Sequence, residues 1–160
     1  SLPSYDPRAV KGVGVTYATS TMGGDHTAGY AVAQNILKVG GDIDPLSKQG
    51  QVEVSKNLQI ATAAVDAAGL CLFVAFAVLD TEDAVQVISD LVSGKIGAPF
   101  SPDDVVNLGV SVLKDELEFN KMAGFCDADD QLPYFMQTEE LDTHKTTWDF
   151  TVEQMQAAQV

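Results

Sequence analysis

One stretch limits the folding options of this chain more than any other. From Ile60 to Leu79 the residues are apolar or small, except where Asp66, Gly69 and Cys71 interrupt them within six positions. The run is about as long as a membrane span. Asp66 near its middle, alanine in place of leucine and isoleucine, and the lack of a flanking basic cluster all argue against insertion. The run therefore reads as helix in the interior of a soluble domain, either two helices meeting at the interruption or one helix with a break. An acid held in such a place needs donors to offset its desolvation. A glycine beside it admits a backbone or a ligand at close range. A cysteine two residues later brings a soft, metal-ligating atom to the same spot. Taken singly, Cys71 reads as an inert core thiol and Asp66 as a capping or hydrogen-bonded acid. Together they mark a candidate site.

Helical signals dominate the rest of the chain. Pro3 and Pro7 predict an extended segment over Ser1–Arg8. Gly12 and Gly14 prolong the irregular character, and Val13, Val15, Tyr17 and Ala18 read as a short strand-like piece or a turn. The hydroxyl- and glycine-rich segment Thr19–Gly29 leads into a helix expected over Ala28–Val39, capped by Asp25 or Thr27, with Ala31, Ile36 and Val39 on one face. Gly40 and Gly41 stop it. A second helix is expected over Gln49–Ala64, with Val54, Leu58, Ala61 and Val65 at helical spacing. Leu72–Leu79 resumes after the interruption. Asp80 and Thr81 should cap a further helix, with Ala84, Ile88 and Leu91 inward and its end before Gly94. Ser101-Pro102-Asp103-Asp104 joins a cap, an initial proline and early acids. Val106, Val110, Leu113 and Leu117 follow, toward an end near Met122. The acidic segment Phe125–Phe150 reads as a loop wrapping the surface, and Thr151-Val152-Glu153 opens a last helix. Strand signals are nearly absent, so the expected fold is all-α: a single multihelical, bundle-like domain over residues 1–160 with an irregular N-terminal loop segment.

Charge and cysteine content narrow the function. The 160 residues carry a formal net charge of -14. Such a chain repels nucleic-acid phosphates and anionic membrane surfaces. Two cysteines, Cys71 and Cys126, do not make a secreted disulfide framework, so a reducing, cytoplasmic setting is expected. The chain opens without an initiator methionine or signal-peptide pattern and stops in helical sequence. It reads as a piece of a longer protein whose upstream domains are partners of this one.

Several short motifs, in order, resemble the C-terminal region of the aldehyde:ferredoxin oxidoreductases, the tungsten-pterin enzymes. They are Leu2-Pro3-Ser4-Tyr5-Asp6-Pro7-Arg8, Lys11-Gly12-Val13-Gly14, Tyr17-Ala18-Thr19-Ser20, Gly24-Asp25-His26, Asp66-Ala67-Ala68-Gly69-Leu70-Cys71, Phe119-Asn120, Ala123-Gly124-Phe125 and Leu132-Pro133. The resemblance implies an oxidoreductase that converts aldehydes to carboxylic acids with ferredoxin as electron acceptor. It implies a bis-pterin cofactor holding tungsten, with molybdenum left open, and a 4Fe-4S cluster. Asp66, with Gly69 and Leu70, would bind a pterin, and Cys71 would be the fourth cluster ligand. His26 would move a proton near the metal, where a pKa near neutrality is useful. Its plain alternative is a helix-start histidine bonded to backbone, and His144 reads as a surface residue. The other three cluster ligands of the family come from an upstream Cys-x-x-Cys-x-x-x-Cys run that this chain lacks. Both cofactors are therefore expected only in a longer parent, and the isolated chain should be inactive with Cys71 a free thiol. Met22 and Asp25 depart from the Arg-Gly-Gly-Cys-His of familiar members, and losing a cation while gaining an anion disfavours a carboxylate-bearing substrate. A small aldehyde is the expected substrate, and a homo-oligomer is compatible with the sequence. The competing reading is a helical scaffold or protein-interaction domain without cofactor.

Overall fold

The computed structural model describes residues 4–160; Ser1, Leu2 and Pro3 of the expected extended segment lie outside them. Among the described residues the architecture is all-α, as expected, and extended backbone pairs only in one antiparallel bridge, Leu141 with Thr146. The helices are α1 (Lys11–Thr19), α2 (Gln51–Ala67), α3 (Val74–Asp80), α4 (Ala84–Ile96), α5 (Pro102–Met122), α6 (Tyr134–Thr138) and α7 (Val152–Gln156). The long α2 runs through two apolar clusters. The larger is built on Val13, Val15, Leu58, Trp148 and Met155. The smaller is built on Ala64, Val65, Ile88 and Val105.

The segment read as strand-like or turn is α1, and every residue of it is buried. A helix enclosed on all sides has no polar face, so no helical period shows in its sequence. Its glycines are there for contact. A Cβ at Gly12 would strike Ala31 and Asn35 side chains, and one at Gly14 would strike the Trp148 ring and Pro7. Lys11 is 3% exposed and pairs with Asp149, while its Nζ also donates to the Thr147 carbonyl oxygen at 3.2 Å. The polar side chains of α1 meet those of α2. Thr16 Oγ1 and Ser55 Oγ lie 2.8 Å apart, and Gln59 Nε2 donates to Thr19 Oγ1 at 3.0 Å.

The continuous helix expected over Ala28–Val39 is instead a 3₁₀ turn, Thr27–Gly29, followed by a π turn, Ala33–Leu37. The Gly29 carbonyl accepts from Thr16 Oγ1 at 2.9 Å, and Gly29 itself packs against Gln59 and the Ser55 backbone. The same carbonyl also accepts from Ala31 N–H at 2.7 Å, a tight local turn in place of the i+4 bond of a continuous helix. Ala31 is buried as expected, whereas Ile36 is exposed and Val39 half-buried. α2 extends past its expected end, with Val54, Leu58 and Val65 inward. α4 starts at Ala84 without a side-chain cap and continues through Gly94 to a left-handed Gly97. Ile88 faces inward, but Leu91 is exposed. Ser89 is the reason: its hydroxyl donates to the Phe100 carbonyl oxygen, which turns the 85/88/89/92 stripe toward the core.

α5 begins as its sequence dictates. Asp104 N–H donates to Ser101 Oγ at 3.2 Å and Ser101 N–H donates to Asp104 Oδ2 at 2.8 Å, with Pro102 in the first turn. The helix ends at Met122 as expected, yet its buried stripe is Val105, Gly109 and Leu113 rather than one including Val106, which is exposed. Gly109 sits against the Ile60 carbonyl of α2 with no room for a Cβ. The closest approach of the two helices fixes the face. The 125–150 segment wraps the molecule but also enters it, since Trp148 and Phe150 belong to the larger core. α7 opens with the expected Thr151 cap.

Gly109→Ala should destabilise the protein by about 2 kcal/mol or more despite alanine's better helix propensity, because the added methyl meets backbone that cannot rotate away. Urea unfolding followed by circular dichroism checks this; an unchanged midpoint would mean that α5 does not press on α2 there.

Candidate functional site

A cleft of about 720 Å³ opens between the end of α1, the 20–26 loop, the end of α5 and the 125–133 segment. Most of the motifs noted above line it or border it, including Tyr17-Ala18-Thr19-Ser20, Gly24, His26, Asn120, Phe125 and Leu132-Pro133. α5 holds the glycine loop in place. Asn120 Nδ2 donates to the Thr21 carbonyl oxygen at 2.9 Å, and Thr21 Oγ1 donates to Glu116 Oε2 at 2.6 Å. The Asp6–Arg8 pair steadies the neighbouring entry segment, and Arg8 Nη1 reaches the Glu139 carbonyl oxygen at 2.9 Å.

His26 sits half-buried at this cleft. Asp25 Oδ1 accepts from Thr27 N–H and Thr27 Oγ1, both at 2.8 Å. Those donations, the backbone one first, hold its carboxyl below the usual range. Asp25 closes a local turn onto Thr27 rather than capping a helix, since His26 holds the cap position of the 3₁₀ turn without a side-chain bond; its carboxylate stays anionic 4.0 Å from His26 Nδ1. Two tyrosines pack on the imidazole. The Tyr5 ring meets it edge-on at 5.4 Å, the Tyr30 ring lies tilted to it at 5.9 Å, and the two tyrosine hydroxyls lie 2.6 Å apart. Burial first, and the bond to Tyr5 second, push the Tyr30 hydroxyl up to about 12.

The far wall is acidic. Asp127, Asp129 and Asp130 line it, and Lys121 is the one lysine or arginine among the described lining residues. Burial, with Asp127 and Asp129 nearby, raises the Asp130 carboxyl above its ordinary value, although Gln159 Nε2 donates to it at 2.6 Å. Sequence reading missed this wall and Tyr30. Tyr30 follows His26 by four positions, a spacing that would have marked it had the intervening backbone been plain helix.

The Asp66–Cys71 motif lies elsewhere, on the turn between α2 and α3. The α2 end is a Schellman motif: Gly69 N–H donates to the Asp66 carbonyl oxygen at 2.9 Å and Leu70 N–H to that of Val65 at 3.0 Å. Gly69 has φ of +75° and open space where a Cβ would be. It makes the left-handed turn, and no other part of the described chain approaches it closely. The expectation that the acid and thiol are sunk in an apolar junction is also corrected, for Asp66, Gly69 and Cys71 are exposed and Leu70 is half-buried against the smaller core. The Schellman turn aims them outward. His26 and this motif do not share a cleft; a row of rings spans the gap. Tyr30 meets Phe76 at 5.9 Å, and Phe76 stacks on Phe73 at 6.2 Å, two residues beyond Cys71.

The donor set limits what these residues hold. Cys71 and Cys126 are both free and exposed, and no group of three His, Cys, Asp or Glu side chains able to hold a metal occurs among the described residues. A cluster needing four ligands therefore does not fit on this chain alone. A single outward thiol fits as one ligand of a cluster completed by other residues, and the outward Asp66 carboxylate fits as an acceptor for a heterocycle's N–H groups.

Residues 1–158 match the family model described as aldehyde ferredoxin oxidoreductase, domains 2 and 3. The chain belongs to that family. It is similar to the tungsten-containing aldehyde ferredoxin oxidoreductase of Pyrococcus furiosus, at 36% identity over 134 residues, covering 82% of this chain and 21% of that protein. The enzyme of the same name from Thermococcus kodakarensis is 35% identical over 131 residues, covering 81% of this chain and 21% of its own length. That from Pyrococcus horikoshii is 36% identical over 124 residues, covering 77% and 20%. The chain thus spans about a fifth of the length of the curated relatives it matches. No helix among the described residues is long and apolar enough to cross a membrane.

The raised Asp130 carboxyl has a consequence for stability. A folded pKa above the unfolded one opposes folding at pH 7, and the penalty vanishes below the unfolded value near 3.8. Asp130→Asn should raise the urea midpoint at pH 7, with the gain disappearing below that pH. A variant no more stable at pH 7 than the parent would contradict the assignment.

Proposed function

We propose that residues 1–160 form one helical domain of a cytoplasmic tungsten-pterin oxidoreductase that oxidises aldehydes to carboxylic acids. The overall change adds one oxygen from water to the aldehyde carbon and releases two protons and two electrons, with ferredoxin as the electron acceptor. When bound, the bis-pterin metal centre would supply the oxygen-transfer chemistry and a 4Fe-4S cluster the electron-transfer chemistry. Asp66 accepts hydrogen bonds from a pterin, Gly69 and Leu70 shape the turn that presents it, Cys71 ligates the cluster, and His26 takes up or delivers a proton. The observation that carries this reading is the Schellman turn. It holds one carboxylate and one thiol outward and leaves the remaining ligands to be supplied by the rest of a longer protein. The isolated chain, without those ligands, is inactive.

In the cofactor-loaded full-length parent, Cys71→Ala should lower cluster iron while leaving tungsten bound, as read by metal analysis per protomer. Unchanged iron would remove Cys71 from the cluster. Absence of tungsten and pterin from the purified parent would favour a scaffold or interaction domain, a reading that the exposed Phe73 and Val74 also suit.

The cleft bears on substrate. Three carboxylates against one lysine make it unfavourable for anions. A neutral aldehyde should be oxidised with kcat/KM about tenfold above that of a homologue carrying a carboxylate, a difference of roughly 1.4 kcal/mol. Equal values for the two would show that the acidic wall does not face substrate.

A further inference from the structure

We propose that Tyr30 is a positioning residue for His26, acting through the hydroxyl it shares with Tyr5 and through a ring packed on both His26 and Phe76. The proposal rests on the reading of His26 as the proton-moving group. Three rings form a triangle, with centroids 5.4 Å apart for Tyr5 and His26 and 5.9 Å apart for each of the other two pairs. One edge is locked by the 2.6 Å hydroxyl pair. Tyr5 lies outside any helix, and the other bond holding it is a long one, its N–H to the Tyr17 hydroxyl at 3.4 Å. Tyr30 is anchored far better. Buried Gly29 and Ala31 flank it, and its ring meets Phe76 of α3 edge-on at 5.9 Å. Tyr30 therefore carries the rigidity of the helical core to two groups that stand on loops.

The His26 imidazole has little else to orient it. Asp25, 4.0 Å away, is committed to Thr27, and the remaining charges at the cleft, Lys121, Asp127, Asp129 and Asp130, lie on its other walls. An edge-on contact with Tyr5 at 74° and a tilted one with Tyr30 at 51° together restrict the plane of the imidazole. A tyrosine serving only as core filler would need no hydroxyl, and phenylalanine would replace it without consequence. The hydroxyl pair is the part of the arrangement that a packing role does not call for. It also joins the two loci, because the same ring row leads through Phe76 to Phe73 beside Cys71.

The sequence holds two histidines, His26 and His144, and His144 is exposed on the 141–146 loop. NMR titration of this chain therefore resolves His26 with a built-in control. Tyr30→Phe should move the His26 midpoint by about half a pH unit or more and weaken its ring cross-peaks to Tyr5, while His144 stays put. Tyr5→Phe should give the same midpoint shift, and the double variant no more than either alone, because the hydroxyls act as a unit. Unaltered core methyl signals in each variant exclude unfolding as the cause. Superimposable His26 titrations in parent and Tyr30→Phe, or two shifts that simply add, would overturn the proposal. A loaded parent whose kcat survives His26→Gln would instead overturn the role of His26, and the NMR result would stand apart from it.

Discussion

The fold hangs on the burial of α1. A helix with every residue enclosed is stable only if each polar atom on it has a partner, and α1 brings a lysine and two threonines inside. Lys11 is answered by Asp149 and the Thr147 carbonyl, from the far end of the chain. Thr16 and Thr19 are answered by Ser55 and Gln59 of α2 and by the Gly29 carbonyl. Only the lysine of this pair is enclosed, so losing the exposed Asp149 would strand a buried ammonium, which costs more than the pair contributes. The N-terminal motif, the middle of α2 and the 147–150 segment are therefore fixed by the same set of bonds. Close packing completes this, since Trp148 lies where a side chain on Gly14 would have to go.

The cleft follows from that arrangement. α1 ends at Thr19 on one wall, and the chain leaves it through a glycine loop closed by short-range bonds such as Gly23 N–H to the Ser20 carbonyl. α5 ties that loop to the helices through Asn120 and Glu116. α5 is in turn pressed onto α2 at Gly109. His26 thus stands on a loop but inherits its position from two helices and from the tyrosines that pack on it. The acidic 127–130 segment faces it, and its crowding shows in the raised Asp130 carboxyl.

The Asp66–Cys71 turn obeys different physics. Nothing distant is needed to form it, because a left-handed glycine and two backbone bonds end α2 and reverse the chain. Its exposure follows from the same turn. An acid and a thiol that look costly when read as buried are cheap when solvated, and both remain free to bind groups outside these residues. The family membership gives that exposure a meaning, since this chain corresponds to only a fifth of each relative.

What could be read from the residues alone was local. The caps at Ser101 and Thr151 and the break between α2 and α3 each rest on bonds within a few positions, and each formed as its residues dictate. The all-α class followed from the same signals, and the motifs gave the family. The face each helix turns inward was decided elsewhere. Leu91 and Val106 point outward because Ser89 and Gly109 make the decisive contacts, and a periodicity count weighs only apolar side chains. α1 read as strand-like because a fully enclosed helix has no period to detect, and the 28–39 segment packs Gly29 against α1 and α2 in a tight turn rather than continuing as helix. The partnership of Tyr5, His26 and Tyr30, all within 25 positions, and the carboxylates about a hundred residues further on that face them, arise only in the tertiary fold, since contact through irregular backbone leaves no periodic mark on local sequence.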